Sequence, residues 1–446
     1  MSTSPARAAA FDILLRIEQQ DAYASELLHS SQYEKLSAAD HGLATELVMG
    51  VLRWRLRLDE EIGRYTDKRL QKLDVEVLTA LRLGAYQLSF LDRMPERAAV
   101  HESVELVKRA RKRSAVPFTN AVLRKLASSS ADSGIQQTKN ASFDSPAELS
   151  RNLAHPLWLV DRWVREYGFA RAREVCCYDQ NAPETAVRLA DPEVEKELKA
   201  NGIDLAPGDL LASARRVQRG NVTRTGAFVE GRVVIQDEAS QLVGLLVGSG
   251  KRILDCCAAP GGKTRILASQ NPTANIVALE LYPRRARLLR KLVPAKNVEV
   301  IQSDVCGFVT ETSFDRILAD VPCSGTGTLA HNPEIKWRLI AEDLADLQTR
   351  QLAILQSAMQ YAAPGARLVF STCSLEREEC QVVVEKALAA GPSFRLLDGR
   401  LQLEQLRAQG ELVWNDTNSL VSGPFVRTIP GVHPCDGFFV AILEKT

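Results

Sequence analysis

The sequence lacks the patterns that would assign a chain of 446 residues to a metal-binding, disulfide-rich or membrane-spanning class. Its nine cysteines form no Cys-x-x-Cys pair and include adjacent doublets, which argues against both a zinc site and a disulfide framework. No apolar run approaches the ~20 residues of a transmembrane helix. The formal net charge is only +1, so any surface for a polyanion must be a local patch. We therefore expect a cytoplasmic protein without a metal or a membrane contact.

The chain is organised around one stretch, in which a short apolar run leads through small residues into a helix. Its letters are KRILDCCAAPGGKT, residues 251–264. A strand, a glycine turn and a helix in this order open a doubly wound α/β sheet, and ligands bind where such strands end. A phosphate-binding P-loop is excluded because it needs a glycine where Cys257 stands, and the spaced glycines of the dinucleotide motif are absent. These features indicate a nucleotide-like ligand without a pyrophosphate, of which S-adenosylmethionine is the commonest.

Hydrophobic periodicity and composition divide the chain into three domains and a linker. Residues 1–127 predict an all-α domain, residues 128–146 a polar linker, residues 147–230 a small α+β module and residues 231–446 an α/β domain. In the last domain we predict strands at Arg252–Asp255, Ile276–Leu279, Val298–Gln302, Phe314–Leu318, Arg367–Phe370, Phe425–Arg427 and Phe438–Ile442. Helices follow the first five strands, an order typical of a Rossmann-like class I methyltransferase domain. Residues 393–423 show little periodicity and predict an irregular insertion.

Four acidic residues stand where successive predicted strands end, namely Asp255, Glu280, Asp304 and Asp320. An acid at the end of the second strand, as Glu280 is, typically accepts hydrogen bonds from the two ribose hydroxyls of a nucleoside. Asp304 follows the third strand, where such folds hold the adenine amino group. A single acid at such a position would most simply cap the next helix. A series at successive strand ends favours ligand binding.

Two further glycine turns place a cysteine at the same edge of the sheet, Cys323 after the fourth strand and Cys373 after the fifth. A cysteine is needed if the target is a pyrimidine, because carbon 5 of cytosine is too weak a nucleophile to attack a methyl sulfonium. A thiolate that adds to carbon 6 makes carbon 5 nucleophilic, and loss of the carbon 5 proton later releases the thiolate. Asp320 is the candidate to assist this addition at ring nitrogen 3. Spacing alone does not decide which cysteine attacks.

The densest basic run of the chain lies in the all-α domain and consists of Lys108, Arg109, Arg111, Lys112 and Arg113. Most such runs are solvated surfaces. The neighbouring stretches ESVEL (residues 102–106) and NAVLR (residues 120–124), however, resemble the NusB-type RNA-binding helical domain. This resemblance implies that the basic run contacts RNA.

Three motifs of the α/β domain resemble those of the RNA 5-methylcytosine methyltransferases. They are DCCAAPGGKT (255–264), the turn from Asp320 to Gly325 continued through NPEIKW (332–337), and STCS (371–374). With a NusB-like domain in front, nearly the full length is similar to the RsmB (Fmu or Sun) family, whose members methylate cytosine in bacterial 16S ribosomal RNA. We therefore expect 16S ribosomal RNA as the partner and a monomeric enzyme.

The resemblance also implies the roles of individual residues. Cys373 is then the nucleophile and Cys323 assists product release, with Asp320 and Lys263 as further catalytic residues. The S-adenosylmethionine site is lined by Cys257, Ala258, Ala259, Pro260, Gly261, Gly262, Lys263, Glu280, Asp304 and Asp320. One departure from the family concerns Glu280, because an aspartate, shorter by one methylene group, usually stands there. Another is Gly365-Ala366, where the family usually has two glycines.

Two other functions remain compatible with the sequence. An enzyme of the same family could act on tRNA or on another ribosomal RNA position, and only the N-terminal domain would distinguish it. A non-enzymatic RNA-binding assembly factor could retain a degenerate methyltransferase fold, but the intact Cys323 and Cys373 argue against this interpretation. A DNA methyltransferase is disfavoured, since no large target-recognition insertion separates the motifs.

Overall fold

A computed structural model describes residues 3–20, 22–33, 35–92, 94–129, 143–391 and 393–446. The chain forms two compact units. The first comprises Met1–Ala182 and Leu329–Arg338, and the second comprises Pro183–Thr328 and Leu339–Thr446. In the part of the chain that the structure describes, no helix combines the length and the apolar character that crossing a membrane requires.

Up to Asp179 the described regular elements are helices. From Ala186 onward, strands and helices follow one another. The α-helices are α1 (Pro5–Gln20), α2 (Ala24–Leu28), α3 (Ala38–Arg64), α4 (Val75–Phe90), α5 (Glu96–Arg109), α6 (Val116–Ser129), α7 (Pro146–Asn152), α8 (Leu157–Tyr167), α9 (Phe169–Asp179), α10 (Pro192–Ala200), α11 (Gly226–Val229), α12 (Glu238–Val247), α13 (Gly262–Gln270), α14 (Pro283–Leu292), α15 (Ile335–Arg338), α16 (Asp343–Gln360), α17 (Gln381–Ala390) and α18 (Gly399–Ala408). The strands are β1 (Ala186–Leu189), β2 (Asp204–Pro207), β3 (Ala214–Arg219), β4 (Val233–Ile235), β5 (Arg252–Asp255), β6 (Asn275–Glu280), β7 (Val298–Gln302), β8 (Phe314–Asp320), β9 (Ala362–Thr372), β10 (Phe394–Leu396), β11 (Val421–Ser422), β12 (Phe425–Arg427) and β13 (Phe439–Lys445).

The first unit is helical, as its sequence predicts. Apolar residues at helical spacing on α1, α3, α4 and α6 are buried in one shared core. The side chain of Ser37 caps α3 by accepting a hydrogen bond from the N–H of Asp40 at 3.1 Å. The predicted linker, residues 128–146, falls mostly on residues 130–142, which lie outside the described residues; α6 extends to Ser129 and α7 begins at Pro146.

Helices α7 to α9 also belong to the first unit, whereas strands β1 to β4 belong to the second. The region predicted as one α+β module, residues 147–230, is thus divided between the two units. Helix α7 packs against α3, and α8 and α9 pack in turn against α7. Trp163, predicted to be a core residue, is buried on α8 beside the ring of His155. The division follows from these packing contacts, which no local sequence pattern reveals.

The second unit contains two sheets. Strands β2, β3, β1 and β4 form a small antiparallel sheet in that order. The large sheet has the order β11-β12-β13-β9-β8-β5-β6-β7, with β10 paired to β13 outside this sequence. Strands β5 to β9 are parallel, while β10 to β13 are antiparallel to their neighbours. After β5 the chain adds β6 and β7 on one side of it, and then returns to add β8 on its other side. The ends of β5 and β8 therefore border the crevice where such sheets bind ligands.

The central strands are apolar along their whole length because the sheet is covered on both faces. Alternate residues enter different cores: Ile253, Leu318 and Val369 lie in one cluster, and Leu254 and Phe370 lie in the other. All seven predicted strands are present, although β9 begins five residues before the predicted Arg367 and β13 extends beyond the predicted range. The predicted fold class is confirmed.

The prediction of an irregular insertion over residues 393–423 was wrong. This region contains β10, α18 and β11. Strand β10 is only three residues long and pairs with β13, with Arg395 opposite Glu444, so its existence depends on a partner distant in sequence. Leu403 and Leu406 of α18 are buried against the large sheet together with Val426.

Candidate functional site

The loop between β5 and α13 is held against two neighbouring strands. The N–H of Cys256 donates to the carbonyl of Leu318 on β8, and the N–H of Ala258 donates to that of Leu279 on β6, each at 2.8 Å. Gly261 caps α13 with a φ of 117°, a left-handed conformation that favours glycine. The loop therefore follows the edge of the sheet over the ends of β5, β6 and β8.

Gly261 is also required by its packing. A Cβ atom at this position would lie 2.5 Å from the side chain of Val293 and 2.8 Å from that of Leu289. The loop consequently lies close against the end of α14. The peptide bond between Ala259 and Pro260 is cis.

Lys263 and Asp320 form a half-buried ion pair at the crevice. The Nζ atom of Lys263 lies 2.7 Å from Oδ2 of Asp320, and the hydroxyl of Ser371 donates to Oδ1 of the same carboxylate at 2.7 Å. Burial opposes the charge of Lys263, but the neighbouring carboxylate of Asp320 outweighs it, so the pKa of the lysine is raised above its ordinary value. The ammonium also lies 5.0 Å from the centre of the Phe438 ring. The lysine is therefore positively charged at neutral pH, and both oxygens of Asp320 are engaged.

The structure brings Cys323 and Cys373 together, with 3.1 Å between their sulfur atoms. Both are free thiols and partly accessible, whereas Cys256, Cys380 and Cys435 are buried. The hydrogen bond with Cys373 and burial together raise the pKa of Cys323 well above its ordinary value. Cys323 is thus held as a protonated thiol beside the sulfur of Cys373.

A buried carboxylate, Glu379, connects the two cysteine turns. Its Oε1 accepts hydrogen bonds at 2.8 Å from the N–H of Ser324 and from the side-chain amide of Gln351. Its Oε2 accepts a hydrogen bond at 2.6 Å from the hydroxyl of Ser374 and another from the hydroxyl of Ser324. Each serine directly follows one of the two cysteines in the sequence. Glu379 is fully buried and fixes the relative position of the two turns.

Asp255, at the end of β5, is a buried acid with an unsatisfied oxygen. Its Oδ2 accepts a hydrogen bond from the hydroxyl of Thr264 at 2.7 Å, and the backbone N–H of Cys257 also stabilises the carboxylate, while Oδ1 has no partner of good hydrogen-bond geometry among the described residues. Burial raises the pKa of this carboxyl group to about 7. A buried polar atom without a well-aligned partner is unusual in a folded protein, so Oδ1 of Asp255 is a candidate to accept a hydrogen bond from a ligand.

Glu280 and Asp304 each make the capping contact that any acid after a strand can make. Oε1 of the buried Glu280 accepts the N–H of Tyr282 at 2.9 Å, and its Oε2 lies 3.8 Å from Nε of Arg285. Asp304 is exposed, and its Oδ1 accepts the N–H of Cys306 at 2.9 Å. Each carboxylate thus uses one oxygen to stabilise its own turn.

Comparison with known proteins gives two family matches. The family described as 16S rRNA methyltransferase RsmB/F matches residues 244–444, and the NusB family matches residues 4–128. A probable ribosomal RNA small subunit methyltransferase B of Bacillus subtilis is 32% identical, with all of both chains covered. The chain belongs to the RsmB/F family of 16S rRNA methyltransferases.

Solved structures agree with the fold of an RsmB/F protein. The crystal structure of PH0851 matches with a TM-score of 0.78 and 22% identity, covering all of both chains. A methyltransferase homolog protein from Pyrococcus horikoshii matches with a TM-score of 0.56 and 24% identity, covering 68% of this chain and all of the other. The predicted family is confirmed, and this RsmB/F chain is an RNA methyltransferase preceded by a NusB domain.

The basic run of the RsmB/F chain is largely paired with acids of its own unit. Its ion pairs are Lys108 with Glu105 at 2.6 Å, Arg109 with Asp12 at 2.7 Å, and Lys112 with Asp74 at 3.2 Å and Glu76 at 3.6 Å. Arg111 and Arg113 are exposed and make no ion pair within the described residues. Two of the five predicted RNA contacts are therefore available without breaking an ion pair.

The NPEIKW motif, which the sequence places directly after the Asp320 turn, belongs to the helical unit. Three hydrogen bonds hold it there: the N–H of Ala24 to Oε1 of Glu334 at 2.8 Å, Nζ of Lys336 to the carbonyl of Arg53 at 3.1 Å, and the indole N–H of Trp337 to the carbonyl of Leu52 at 2.6 Å. Lys336 is almost fully buried, and burial lowers its pKa to about 7.

Sequence reasoning did not identify Glu379, Ser324 or Ser374. The glutamate stands in the charged stretch EREE, which a local pattern assigns to the surface. The two serines stand in the same turns as the cysteines, but nothing in the sequence shows that one carboxylate accepts hydrogen bonds from both. Only the parallel pairing of β8 with β9 brings the two turns together.

Proposed function

We propose that this RsmB/F protein transfers a methyl group from S-adenosylmethionine to carbon 5 of a cytosine in 16S ribosomal RNA. The observation that carries the proposal is the 3.1 Å contact between the sulfur atoms of Cys323 and Cys373. Two thiols beside a half-buried ion pair would supply the nucleophile and the second acid–base group that pyrimidine methylation needs.

The residues at the crevice fit S-adenosylmethionine, which when bound supplies an electrophilic methyl group. Residues 257–263, Glu280, Asp304 and Asp320 would hold it, as the sequence predicts. The unsatisfied Oδ1 of Asp255 offers a buried acceptor for an amino group, and Oε2 of Glu280 offers one for a ribose hydroxyl. Gly261 leaves the loop without a side chain at its closest approach to α14.

In the proposed reaction, the thiolate of Cys373 forms a bond to carbon 6 of the cytosine, and the ring electrons move toward nitrogen 3. The ammonium of Lys263 stabilises the resulting negative charge, because its own charge is maintained by Asp320. Both oxygens of Asp320 accept hydrogen bonds, which suits a carboxylate that orients the lysine. The charge of Lys263 supports a role for it at nitrogen 3 beside the one that the sequence predicts for Asp320.

Cys323 would act after methyl transfer. The hydrogen bond to Cys373 is the largest cause of its raised pKa. That bond would weaken once the sulfur of Cys373 is bonded to carbon, because a thioether sulfur is a weak acceptor. Cys323 then loses its proton to solvent more easily and becomes a base. As a thiolate it takes the proton from carbon 5, the double bond between carbons 5 and 6 forms again, and the bond from carbon 6 to Cys373 breaks.

The experiment that tests this proposal compares Cys373→Ala with Cys323→Ala on a 16S ribosomal RNA transcript, with S-adenosylmethionine labelled in its methyl group. Cys373→Ala is expected to bind RNA but to form no covalent adduct and no 5-methylcytosine. Cys323→Ala is expected to methylate once and to accumulate a labelled protein–RNA adduct that survives denaturing electrophoresis. Cys306→Ala, which alters an exposed cysteine outside the pair, is the control and should behave as wild type.

Reversal of the two phenotypes would make Cys323 the nucleophile. If neither variant traps RNA and both still produce 5-methylcytosine, covalent catalysis by this pair is refuted.

For the helical unit we propose RNA binding through the basic run, with Arg111 and Arg113 as its unpaired members. Replacing both by glutamine should reduce the salt dependence of RNA binding by about 0.7–0.9 for each phosphate that the protein no longer neutralises. The same replacement at Lys108 and Arg109, whose charges are paired, is the control and should change the slope less. If the wild type and the Arg111/Arg113 variant show the same salt dependence of RNA binding, the basic run is a solvated surface and does not contact RNA.

A further inference from the structure

Helix α14 concentrates positive charge that the chain as a whole lacks. Five of its ten residues are basic and none is acidic; the basic ones are Arg284, Arg285, Arg287, Arg290 and Lys291. Because the net charge of the whole chain is +1, the residues outside this helix carry a net charge of −4. Cations in the last turn would be enough to complement the helix dipole, so the dipole does not account for those in the first two turns.

One face of α14 packs against the loop between β5 and α13. Ala286 and Leu289 are buried, and Leu289 shares a small apolar cluster with Ala258 and Val293. This inner face fixes the helix on the second unit. The five basic residues are all exposed.

Two of the basic residues have structural partners. Arg285 donates to the carbonyl of Ala259 at 2.9 Å, and Arg290 donates to the carbonyl of Val300 at 3.0 Å. The remaining three make no hydrogen bond or ion pair within the described residues; they are Arg284, Arg287 and Lys291. This differs from the basic run of the helical unit, where acids neutralise three of five cations.

The three unpartnered cations share one side of the helix, since positions three and seven residues apart project in similar directions. Exposed aromatic and aliphatic side chains accompany them. Tyr282 is 57% exposed, Leu288 45% and Leu292 38%. Unpaired cations together with an exposed aromatic ring are the composition of a surface for single-stranded nucleic acid, where cations contact phosphates and rings stack on bases.

Helix α14 begins three residues after Glu280, so its N-terminus lies at the carboxyl edge of the sheet. The two cysteine turns follow β8 and β9 at the same edge, and β5 separates β6 from β8. Neighbouring strands are about 4.8 Å apart, which puts the end of β6 roughly 15 Å from that of β9. A few nucleotides next to the target base span this distance.

We propose that the outer face of α14, formed by Arg284, Arg287 and Lys291, binds the RNA segment that flanks the methylated base, together with the exposed ring of Tyr282 at the N-terminus of the helix. This inference rests on the proposed function, because it takes RNA as the substrate. It adds a contact surface on the catalytic unit that is independent of the NusB domain. The cations neutralise backbone phosphates, and the tyrosine ring stacks on a neighbouring base.

The test uses the full chain with Arg284→Gln, Arg287→Gln and Lys291→Gln combined, and a 16S ribosomal RNA transcript as the probe. With three fewer phosphates neutralised, the slope of log K against log salt should flatten by about 2–2.7. Affinity should therefore fall by about two orders of magnitude at 0.1 M salt and hardly at all near 1 M. The KM for RNA should rise in parallel while kcat and the affinity for S-adenosylhomocysteine stay at wild-type values.

A matched control removes three exposed positive charges elsewhere in the same unit that have no partner among the described residues, with Lys199→Gln, Arg219→Gln and Arg350→Gln combined. This control changes the net charge equally and should leave the salt slope unchanged. Tyr282→Leu should weaken RNA binding at every salt concentration without altering the slope, since stacking releases no counterions.

A triple α14 variant with the wild-type slope, or a control that flattens it as much, refutes the proposal. Loss of binding to anionic phospholipid vesicles, with RNA binding intact, would assign the surface to a membrane and equally refute it. Because equilibrium binding is measured on unmodified RNA without methyl transfer, the result does not depend on which base is methylated or on either cysteine. Failure of the covalent mechanism would appear in the adduct experiment alone.

Discussion

Glutamine in place of Glu379 would show how much the two cysteine turns depend on one buried carboxylate. Both carboxylate oxygens accept two hydrogen bonds, and the donors belong to Ser324, Ser374 and Gln351. Glutamine has the same shape, but only one of its terminal atoms accepts. If the glutamine NH₂ replaces Oε2, it faces the hydroxyls of Ser324 and Ser374, which must turn to accept hydrogen bonds. If it replaces Oε1, it faces the N–H of Ser324 and the amide of Gln351, which are donors as well.

The size of the effect follows from the change of acceptor. A hydrogen bond to a charged group contributes about 1.5–3 kcal/mol and a neutral one about 0.5–1.5 kcal/mol, so the difference is about 1 kcal/mol for each bond. Four bonds predict a loss of about 4 kcal/mol before the hydroxyls relax. A typical domain has about 5–15 kcal/mol of stability, so Glu379→Gln is expected to fold. Glu379→Ala would leave the donors buried without partners and is the less useful variant.

The functional consequence should be specific to the cysteines. Glu379→Gln is expected to lower kcat and adduct formation, while S-adenosylhomocysteine still binds at the loop between β5 and α13. The pKa of Cys323 is raised mainly by its hydrogen bond to Cys373 and by burial, and further by the charge of Glu379. Without that charge, Cys323 should react with iodoacetamide at a lower pH than in the wild type.

The assays are urea unfolding, single-turnover methylation and the pH profile of alkylation. Glu385→Gln makes the same chemical change on an exposed position of α17 and should match the wild type in all three. If Glu379→Gln unfolds at the wild-type urea concentration and methylates at the wild-type rate, Glu379 does not position the turns. If Glu379→Gln is less stable but methylates at the wild-type rate, Glu379 contributes to stability alone and not to the positions of the reacting cysteines.

Three further predictions concern single residues. Gly261→Ala should destabilise the second unit by at least the ~1–2 kcal/mol that a left-handed conformation costs a residue with a side chain, and it should abolish cofactor binding in calorimetry. Gly307→Ala is the control and should do neither, because an added Cβ at Gly307 would meet no other atom within 4 Å. Asp304→Ala should weaken S-adenosylmethionine binding by about 1 kcal/mol, and an unchanged calorimetric affinity would remove this acid from the site. The folded-state pKa of Lys336 is about 7, below the ~10.4 of an unfolded lysine, so between these two pH values the unfolded state binds more protons than the folded state. Stability should therefore rise with pH in this window, by at most about 1.4 kcal/mol per pH unit, and Lys336→Met should weaken the rise in urea unfolding.

The parallel part of the sheet could be predicted because its signal is local. An apolar run such as Ile317–Leu318 indicates a strand, and the acid or glycine turn that follows it marks the carboxyl end. Neither signal requires knowing which strand pairs with it. The acids and cysteines at those ends follow from the same pattern. Parallel strands share one edge, so Asp320 and Cys373 were expected close together.

What could not be predicted depends on contacts between distant residues. Strand β10 needs β13 as a partner, and its three residues carry too little periodicity to be recognised alone. Glu379 looks like a surface acid until the turn after β8 is beside the turn after β9. The unpaired charge of α14 and the paired charge of the run at residues 108–113 are indistinguishable in sequence, because the acids that pair the latter come from other helices.

The membership of Leu329–Arg338 in the helical unit constrains the order in which the protein can be completed during synthesis. Domains generally fold as units, N-terminal first, as the chain emerges. Here the first unit lacks Glu334, Lys336 and Trp337 until the residues of β1 to β8 have been made. A fragment that ends at Ala182 would leave the N–H of Ala24 without its acceptor. In a fragment that starts at Pro183, Lys336 would lose the helices that bury it and would be exposed to solvent. No single division of the chain therefore yields two complete units.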